Sequence, residues 1–445
     1  MTSQDLIVTP LLLLLVYFGA WFLRPYLSDE LTKRYFLPAL TVKIIGALAV
    51  GLIYQFYYGG GDTFNFYYYG TKHVYAAFQD SLITGFKMLI AHGEYEPDTY
   101  RYASRIFWFR DPSSYFVIKV ASLFAFFTFN TYSAIAVCFA VFSFTGLWAF
   151  YKAFYYFFPA LHKQLAFAIL FVPSVFFWGS GLLKDTLTLG ALGWMVWGVM
   201  NLFFAKRKYL ISILLVAISA YIIGKVKVYI LLSILPALLV WVIWDKRNAI
   251  ANATLRRLVG PVLLVVGFVF GYVIMQVVVD EKSKYALDNI ARTAQITAYD
   301  IRYWTGKDAG SGYTLGDLDG TWQSMLTLAP AAINVSLYRP YLWEVRNPIM
   351  LLAALESLGM LLFTLWVWYT VGLATMGRII MAKSEVLFCF SFSLIFAFAV
   401  GVSTYNFGSL VRYKIPLIPF YLIALFLIQF YANRPRKSPV RETME

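Results

Sequence analysis

Charge is scarce in this sequence: Asp, Glu, Lys and Arg make up 13% of its 445 residues, against roughly a quarter in soluble globular domains. A chain so poor in charge cannot cover a water-facing surface, and a hydrophobic share of 60% takes its place. Cysteine is nearly absent too. Cys138 and Cys389 both fall inside apolar runs, which excludes a disulfide framework or a thiolate metal site. The three histidines include His73 and His92, which lack metal-ligand spacing. The alternating pattern of a membrane barrel is missing, as is the internal repeat of a transporter built from two related halves. No basic segment precedes the first apolar run and no small-residue cleavage pattern follows it before Arg24, so that run is expected to be retained.

What is present is a succession of apolar runs long enough to cross hydrocarbon as helices, for which roughly 20 residues suffice. The expected fold is an all-α polytopic membrane protein of about eleven spans: Leu6–Leu23, Leu37–Tyr57, Thr131–Phe157, Leu165–Leu183, Thr186–Ala205, Tyr209–Gly224, Val228–Trp244, Leu258–Val279, Pro348–Met376, Glu385–Thr404 and Pro416–Asn433. Residues 1–433 form one transmembrane domain, followed by a basic cytoplasmic tail, 434–445. The formal charge of +14 comes from basic residues at the ends of the runs. That pattern speaks for topology and anionic lipid, not nucleic acid.

The positive-inside rule then tests the count. Taking the 15-residue stretch Tyr115–Phe129 as a span would put Lys206–Lys208 and Arg256–Arg257 outside. As an interfacial helix, which its length favours, it keeps the basic turns cytoplasmic, with the N-terminus outside and the C-terminus inside. Two long outer loops follow, at about 59–130 and about 280–347. The first carries amphipathic helices, Tyr75–Ala91 and Tyr115–Phe129, lying on the bilayer.

Ionisable groups at or within a membrane are costly and mark functional sites. Gly59-Gly60-Gly61-Asp62 ends the second expected span and presents a carboxylate placed to act as a base; the same residues also fit a glycine C-cap with Asp62 capping the next helix. Pro173 to Asp185 ends in an outward Lys184-Asp185 pair, suited to a phosphate and a sugar hydroxyl or to headgroup contact and capping. Arg412, Lys225 and Lys227 sit in outer turns where an anionic headgroup or diphosphate explains a cation. Arg339, Trp343 and Glu344 close the second outer loop, where aromatics serve either as sugar platforms or as an interface belt. Asp317-Leu318-Asp319 could bind a divalent cation, but its flanking glycines also read as a turn. No cofactor is indicated. Asn334-Val335-Ser336 is an outer glycosylation sequon.

The arrangement resembles the GT-C class of membrane glycosyltransferases and the related oligosaccharide-repeat polymerases of bacterial envelopes. The resembling features are Asp62 at the head of the first outer loop, Tyr115–Phe129 leading into the Thr131 span, Pro173 before Lys184-Asp185, and Arg412 in the last outer turn. The resemblance implies Asp62 as base, Asp185 as the second acidic residue, and Arg412 as phosphate holder. Lys184, Arg339, Lys225 and Lys227 would assist at the donor phosphate, with Asn65, Tyr68, Trp343 and Glu344 on substrate. Asp62 precedes Thr63 where that class commonly carries an acidic pair, so a metal is not implied. The expected activity is transfer of a sugar or oligosaccharide from a polyprenyl phosphate or diphosphate to a saccharide, lipid or protein acceptor, on the extracytoplasmic side of a bacterial-type inner membrane. A transporter or flippase of an anionic lipid-linked substrate is the competing reading, for which Lys43 and Glu356 supply charge within spans.

Overall fold

The computed structural model describes residues 3–247, 311–316 and 318–433, together with 252, 254, 258, 262, 291–296 and 299. Among these residues the fold is helical, without strands beyond an isolated bridge between Gly312 and Asn406. In order, α1 (Asp5–Leu27) and α2 (Lys33–Phe56) lead to the short α3 (Asp62–Phe66), α4 (Lys72–Asp80), α5 (Leu82–Ile90), α6 (Tyr100–Ala103) and α7 (Pro112–Phe127). Then come α8 (Tyr132–Phe157), α9 (His162–Ala166), α10 (Pro173–Trp178), α11 (Lys184–Met200), α12 (Tyr209–Val226) and α13 (Val228–Arg247). The remainder is α14 (Trp322–Thr327), α15 (Ala329–Tyr338), α16 (Pro348–Val371), α17 (Leu373–Ala382), α18 (Ser384–Thr404), α19 (Phe407–Tyr413) and α20 (Leu417–Ala432).

Eight of these, α1, α2, α8, α11 to α13, α16 and α18, are long and apolar enough to cross a membrane; α19 and α20, bent by 62°, form a ninth if counted as one broken span. The protein is thus an all-α, multi-pass membrane protein. Leu14, Leu15, Phe18 and Trp21 of α1 stand exposed, which water would penalise and hydrocarbon accepts. Where helices meet, small residues bring backbones together. A Cβ on Gly146 of α8 would fall 1.9 Å from the Gly190 carbonyl oxygen of α11.

Contacts define two ends of the bundle. At one end Lys152 pairs with Asp29 at 3.2 Å, Tyr35 meets His162 at 2.8 Å, Arg207 lies over Tyr156, and the Trp244 indole donates to the Met381 carbonyl. The short basic connections Arg24–Arg34, Lys206–Lys208, Lys246–Arg247 and Arg378–Lys383 gather here. At the opposite end lie the Gly59–Gly61 turn, the short helices α3 to α7, and the first residues of α8, α11 and α16. Both ends of α7 belong to this face: its cap Asp111 reaches Lys184, and Asn130 just beyond it accepts from the Tyr67 hydroxyl at 2.6 Å. The interfacial reading of Tyr115–Phe129 agrees with that placement. The amphipathic stretch expected at Tyr75–Ala91 forms two helices, because Ser81 is extended and separates α4 from α5.

Two expected spans take other forms. Leu165–Leu183 is not one helix: Val172 is extended (ψ 127°) before Pro173, the usual effect of proline on its predecessor. The backbone groups released by this break find side-chain partners. Glu356 of α16 accepts from the Ser174 amide at 2.9 Å and its hydroxyl at 2.5 Å, while the buried Lys43 of α2 donates to the Gly179 carbonyl at the far end of α10. An anion at the N-terminus and a cation at the C-terminus match the helix dipole. Pro348–Met376 ends at Val371, where Gly372 (φ +77°) turns the chain into α17. Leu258–Val279, apart from Leu258 and Val262, lies outside the described residues, as do Asp317 and the tail 434–445. Asp319 itself serves a turn, accepting from the Thr321 amide at 2.8 Å. The sequon is enclosed: the Asn334 amide donates to the Tyr341 hydroxyl at 2.9 Å, and Ser336 is buried.

Glu356→Ala strands the Ser174 amide in an apolar setting and is expected to lower unfolding stability in detergent by about 1–3 kcal/mol, whereas Glu356→Gln, which can still accept, should retain part of it.

Candidate functional site

Asp62 owes its position to the turn that precedes it. Gly59, Gly60 and Gly61 have φ of +69°, +142° and +127°, values costly for any residue with a Cβ. At Gly61 a Cβ would also strike the Tyr54 ring at 2.6 Å. The chain therefore reverses sharply after α2 and starts α3 at Asp62. The helix is anchored by Thr63, whose hydroxyl bonds that of Tyr132 at 2.8 Å, and by Phe64 stacked on the same ring.

Asp185 lies in the first turn of α11, and Lys227 between α12 and α13. Arg412 is in the last turn of α19, whose start is capped by Asn406 accepting from Gly408 and Ser409 amides. These elements bring one guanidinium between two carboxylates. Arg412 Nη1 stands 2.8 Å from Asp62 Oδ2, and its Nε stands 3.3 Å from Asp185 Oδ2. Both contacts are ion pairs, and at the second neither Arg412 Nε nor Asp185 Oδ2 has a hydrogen-bond partner. Lys227 Nζ holds the other Asp185 oxygen at 2.5 Å and lies 4.0 Å from the Tyr413 ring centre. Arg412 Nη1 also donates to the Tyr54 hydroxyl at 3.2 Å.

A second cluster continues the row. Lys184 Nζ lies 2.6 Å from Ser113 Oγ and 3.4 Å from Asp111 Oδ2. Asp111 caps α7 through the Ser113 and Ser114 amides and also accepts from the Ser114 hydroxyl. Burial works to raise the Asp111 pKa, but the Ser114 hydroxyl, the Lys184 ammonium and the two amides outweigh it and hold the carboxyl below the usual carboxylate range.

Two cavities flank Arg412. One, of about 430 Å³, is walled by Tyr54, Tyr58, Trp178, Met350, Asn347, Asn406, Phe407 and Ser409, with Asp62 and Arg412 on its border. The other, of about 250 Å³, is walled by Lys184, Asp185, Lys227, Asp111, Ser114, Trp108 and Tyr413, again with Asp62 and Arg412. The arrangement offers a carboxylate within reach of one cavity and three cations around the other. It can therefore accept a proton from a hydroxyl and steady an anionic leaving group.

Of the residues selected from sequence, Asp62, Asp185, Lys184, Lys227 and Arg412 come together. Arg339 does not line either cavity; its guanidinium pairs with Glu344 at 3.0–3.1 Å. Burial raises the Glu344 pKa, but Arg339 and the Tyr341 amide prevail and lower it. Lys225 is exposed and lies over the Tyr221 ring, Trp343 is 82% exposed, and neither Asn65 nor Tyr68 lines either cavity. Tyr54, Trp108, Asp111, Ser114 and Trp178 were not selected. Asp111-Pro112-Ser113-Ser114 did signal a helix start, but its contact with Lys184 spans 73 residues of sequence. Among the described residues, no three His, Cys, Asp or Glu side chains group as a metal site. No family model, curated protein or solved structure matches the chain.

Replacing Asp185 by Ala leaves Lys227 and Arg412 without their buried counter-ion, and is expected to cost about 3–5 kcal/mol of stability, read by denaturation in detergent. Asp111 behaves differently with pH. Its folded pKa is depressed, so its stabilisation is fully present above the unfolded value, about 3.9, and is lost as pH falls through the folded one. The stability gap between the wild type and Asp111→Asn should be constant near neutrality and shrink below about pH 4.

Proposed function

We propose that the protein is a membrane glycosyltransferase. It moves a sugar or oligosaccharide from a polyprenyl phosphate or diphosphate to an acceptor hydroxyl, on the extracytoplasmic face of a bacterial-type inner membrane. The observation that carries this reading is Arg412 held between Asp62 and Asp185 where two cavities meet. Gathering of the short basic connections at the opposite end supports an orientation with the site outside, the N-terminus outside and the C-terminus cytoplasmic. The reading also agrees with the resemblance to the GT-C class.

In the reaction, the acceptor O–H gives its proton to the Asp62 carboxylate as its oxygen bonds the anomeric carbon. The bond from that carbon to the carrier phosphate oxygen breaks, and the electron pair leaves with the phosphate. Arg412 stabilises the charge that develops there, supported by Lys184 and Lys227. Asp185 orients Arg412 and Lys227. Single transfer and repeat-unit polymerisation share this chemistry and differ in the acceptor. Transport has less support, since Lys43 and Glu356 hold the two ends of α10.

The donor for a test is the lipid-linked saccharide that accumulates in a deletion strain, identified by mass spectrometry and returned to purified protein in proteoliposomes. Asp62→Asn is expected to slow transfer roughly a hundred- to ten-thousand-fold, and Arg412→Gln roughly a hundred- to a thousand-fold, while Lys246→Gln at the basic end should be silent. Full activity in Asp62→Asn would remove the base.

A further inference from the structure

The two cavities have different chemistry and share only Asp62 and Arg412 among their walls. The larger is lined by aromatic faces and neutral polar groups, including Tyr58, Trp178, Phe407, Asn347, Asn406 and Ser409. Such a lining suits the apolar faces and hydroxyls of an uncharged sugar. The smaller holds three cations, Lys184, Lys227 and Arg412, against three carboxylates, Asp62, Asp111 and Asp185. A phosphate entering there adds negative charge to a balanced set, and one carboxylate must yield.

The three carboxylates are not equally free to do so. Asp185 is 2% exposed and held by both Lys227 and Arg412. Asp111 closes the start of α7. Asp62 is 42% exposed, has Arg412 as its ion-pair partner, and follows three consecutive glycines. At Gly59 and Gly60 a Cβ would touch nothing within 4 Å, so the first part of the turn has open space around it, while Gly61 packs on the Tyr54 ring. Arg412 meets Asp185 through Nε and Asp62 through Nη1, so its pairing with Asp185 does not depend on the Asp62 contact.

We infer that the smaller cavity is the phosphate site and the larger one a site for a neutral saccharide, and that Asp62 is a latch occupying the phosphate's place on Arg412 until donor binds. The inference rests on the glycosyltransferase reading. Phosphate takes Arg412 Nη1, and the displaced Asp62 carboxylate turns to the saccharide hydroxyl in the larger cavity. Base and leaving-group cation, mutually neutralised in the empty site, become available together. Donor therefore binds before acceptor is activated.

The test uses the full chain in detergent micelles and two probes, farnesyl phosphate and inorganic phosphate, with farnesol as the uncharged control. A latch that keeps Arg412 occupied most of the time weakens apparent affinity by the fraction of sites left open. If about a tenth are open, Asp62→Asn should bind farnesyl phosphate roughly tenfold tighter than wild type. Asp62→Glu, which keeps the charge, should bind as the wild type does, and adding Arg412→Lys to Asp62→Asn should remove most of the tightening. A melting temperature measured on each variant separates binding from unfolding. Tightening confined to farnesyl phosphate assigns the site to a lipid-borne phosphate, and tightening for both probes assigns it to the phosphate group alone; either supports the latch. Equal or weaker binding by folded Asp62→Asn overturns it. Failure of the two readings is distinguishable: Asp62→Asn that binds phosphate more tightly yet still transfers removes the base and leaves the latch. Asp62→Asn that is inactive with unchanged phosphate affinity removes the latch and leaves the transferase.

Discussion

Hydrocarbon offers a backbone amide or carbonyl no partner, and the rest of this structure follows from meeting that constraint. Continuous helices satisfy it where the chain crosses straight. Where a helix breaks, a side chain must substitute for the missing turn. Pro173 creates such a break, and Glu356 and Lys43 fill it from two neighbouring helices, one at each end of α10. Asp5 does the same for α8 by accepting from the Ser133 amide, and Lys414 donates to the Arg339 carbonyl beside the bend between α19 and α20. Charges inside the bundle are thus of two kinds. Some complete the backbone's hydrogen bonding, and others face one another.

The second kind is concentrated at one end, where Asp62, Arg412, Asp185 and Lys227 alternate in sign across four separate elements. An isolated buried ion would be prohibitive, whereas an alternating row compensates each desolvated charge with a neighbour. Compensation also gives the row its chemistry. A guanidinium already balanced by carboxylates can exchange one of them for a phosphate without leaving an unpaired charge behind. In the proposed reaction the two cavities supply room for reactants on either side of that exchange.

Asp62, Lys184, Asp185, Lys227 and Arg412 were conspicuous in the sequence for a physical reason. In a charge-poor chain, an ionisable residue at the end of an apolar run has few structural excuses. The same logic gathered Arg339 and Glu344, which answer each other across a short turn, and Lys225, which points away from the neighbour two residues on. Position along the chain does not reveal direction at a helix end, where a step of one or two residues rotates a side chain by more than a quarter turn. Lys43 and Glu356 carried the opposite lesson. Their place within spans was legible, but the helix end each of them serves was not. Asp111 escaped notice because capping explains an Asp before Pro112 completely, and nothing local announces Lys184.

By itself the sequence determined the solvent: its apolar runs are too long and its charges too few for water, so membrane-crossing helices follow from length and composition. It also determined which few groups are chemically available. Tertiary structure alone decided the partners. Pro173 breaks the Leu165–Leu183 run locally, but only Glu356 and Lys43, arriving from elsewhere, hold the two ends of α10. Arg412 comes to lie between Asp62 and Asp185 because three helix ends converge. Hydrophobic runs and charge counts are properties of neighbours along the chain, whereas ion pairs and cavities are properties of neighbours in space.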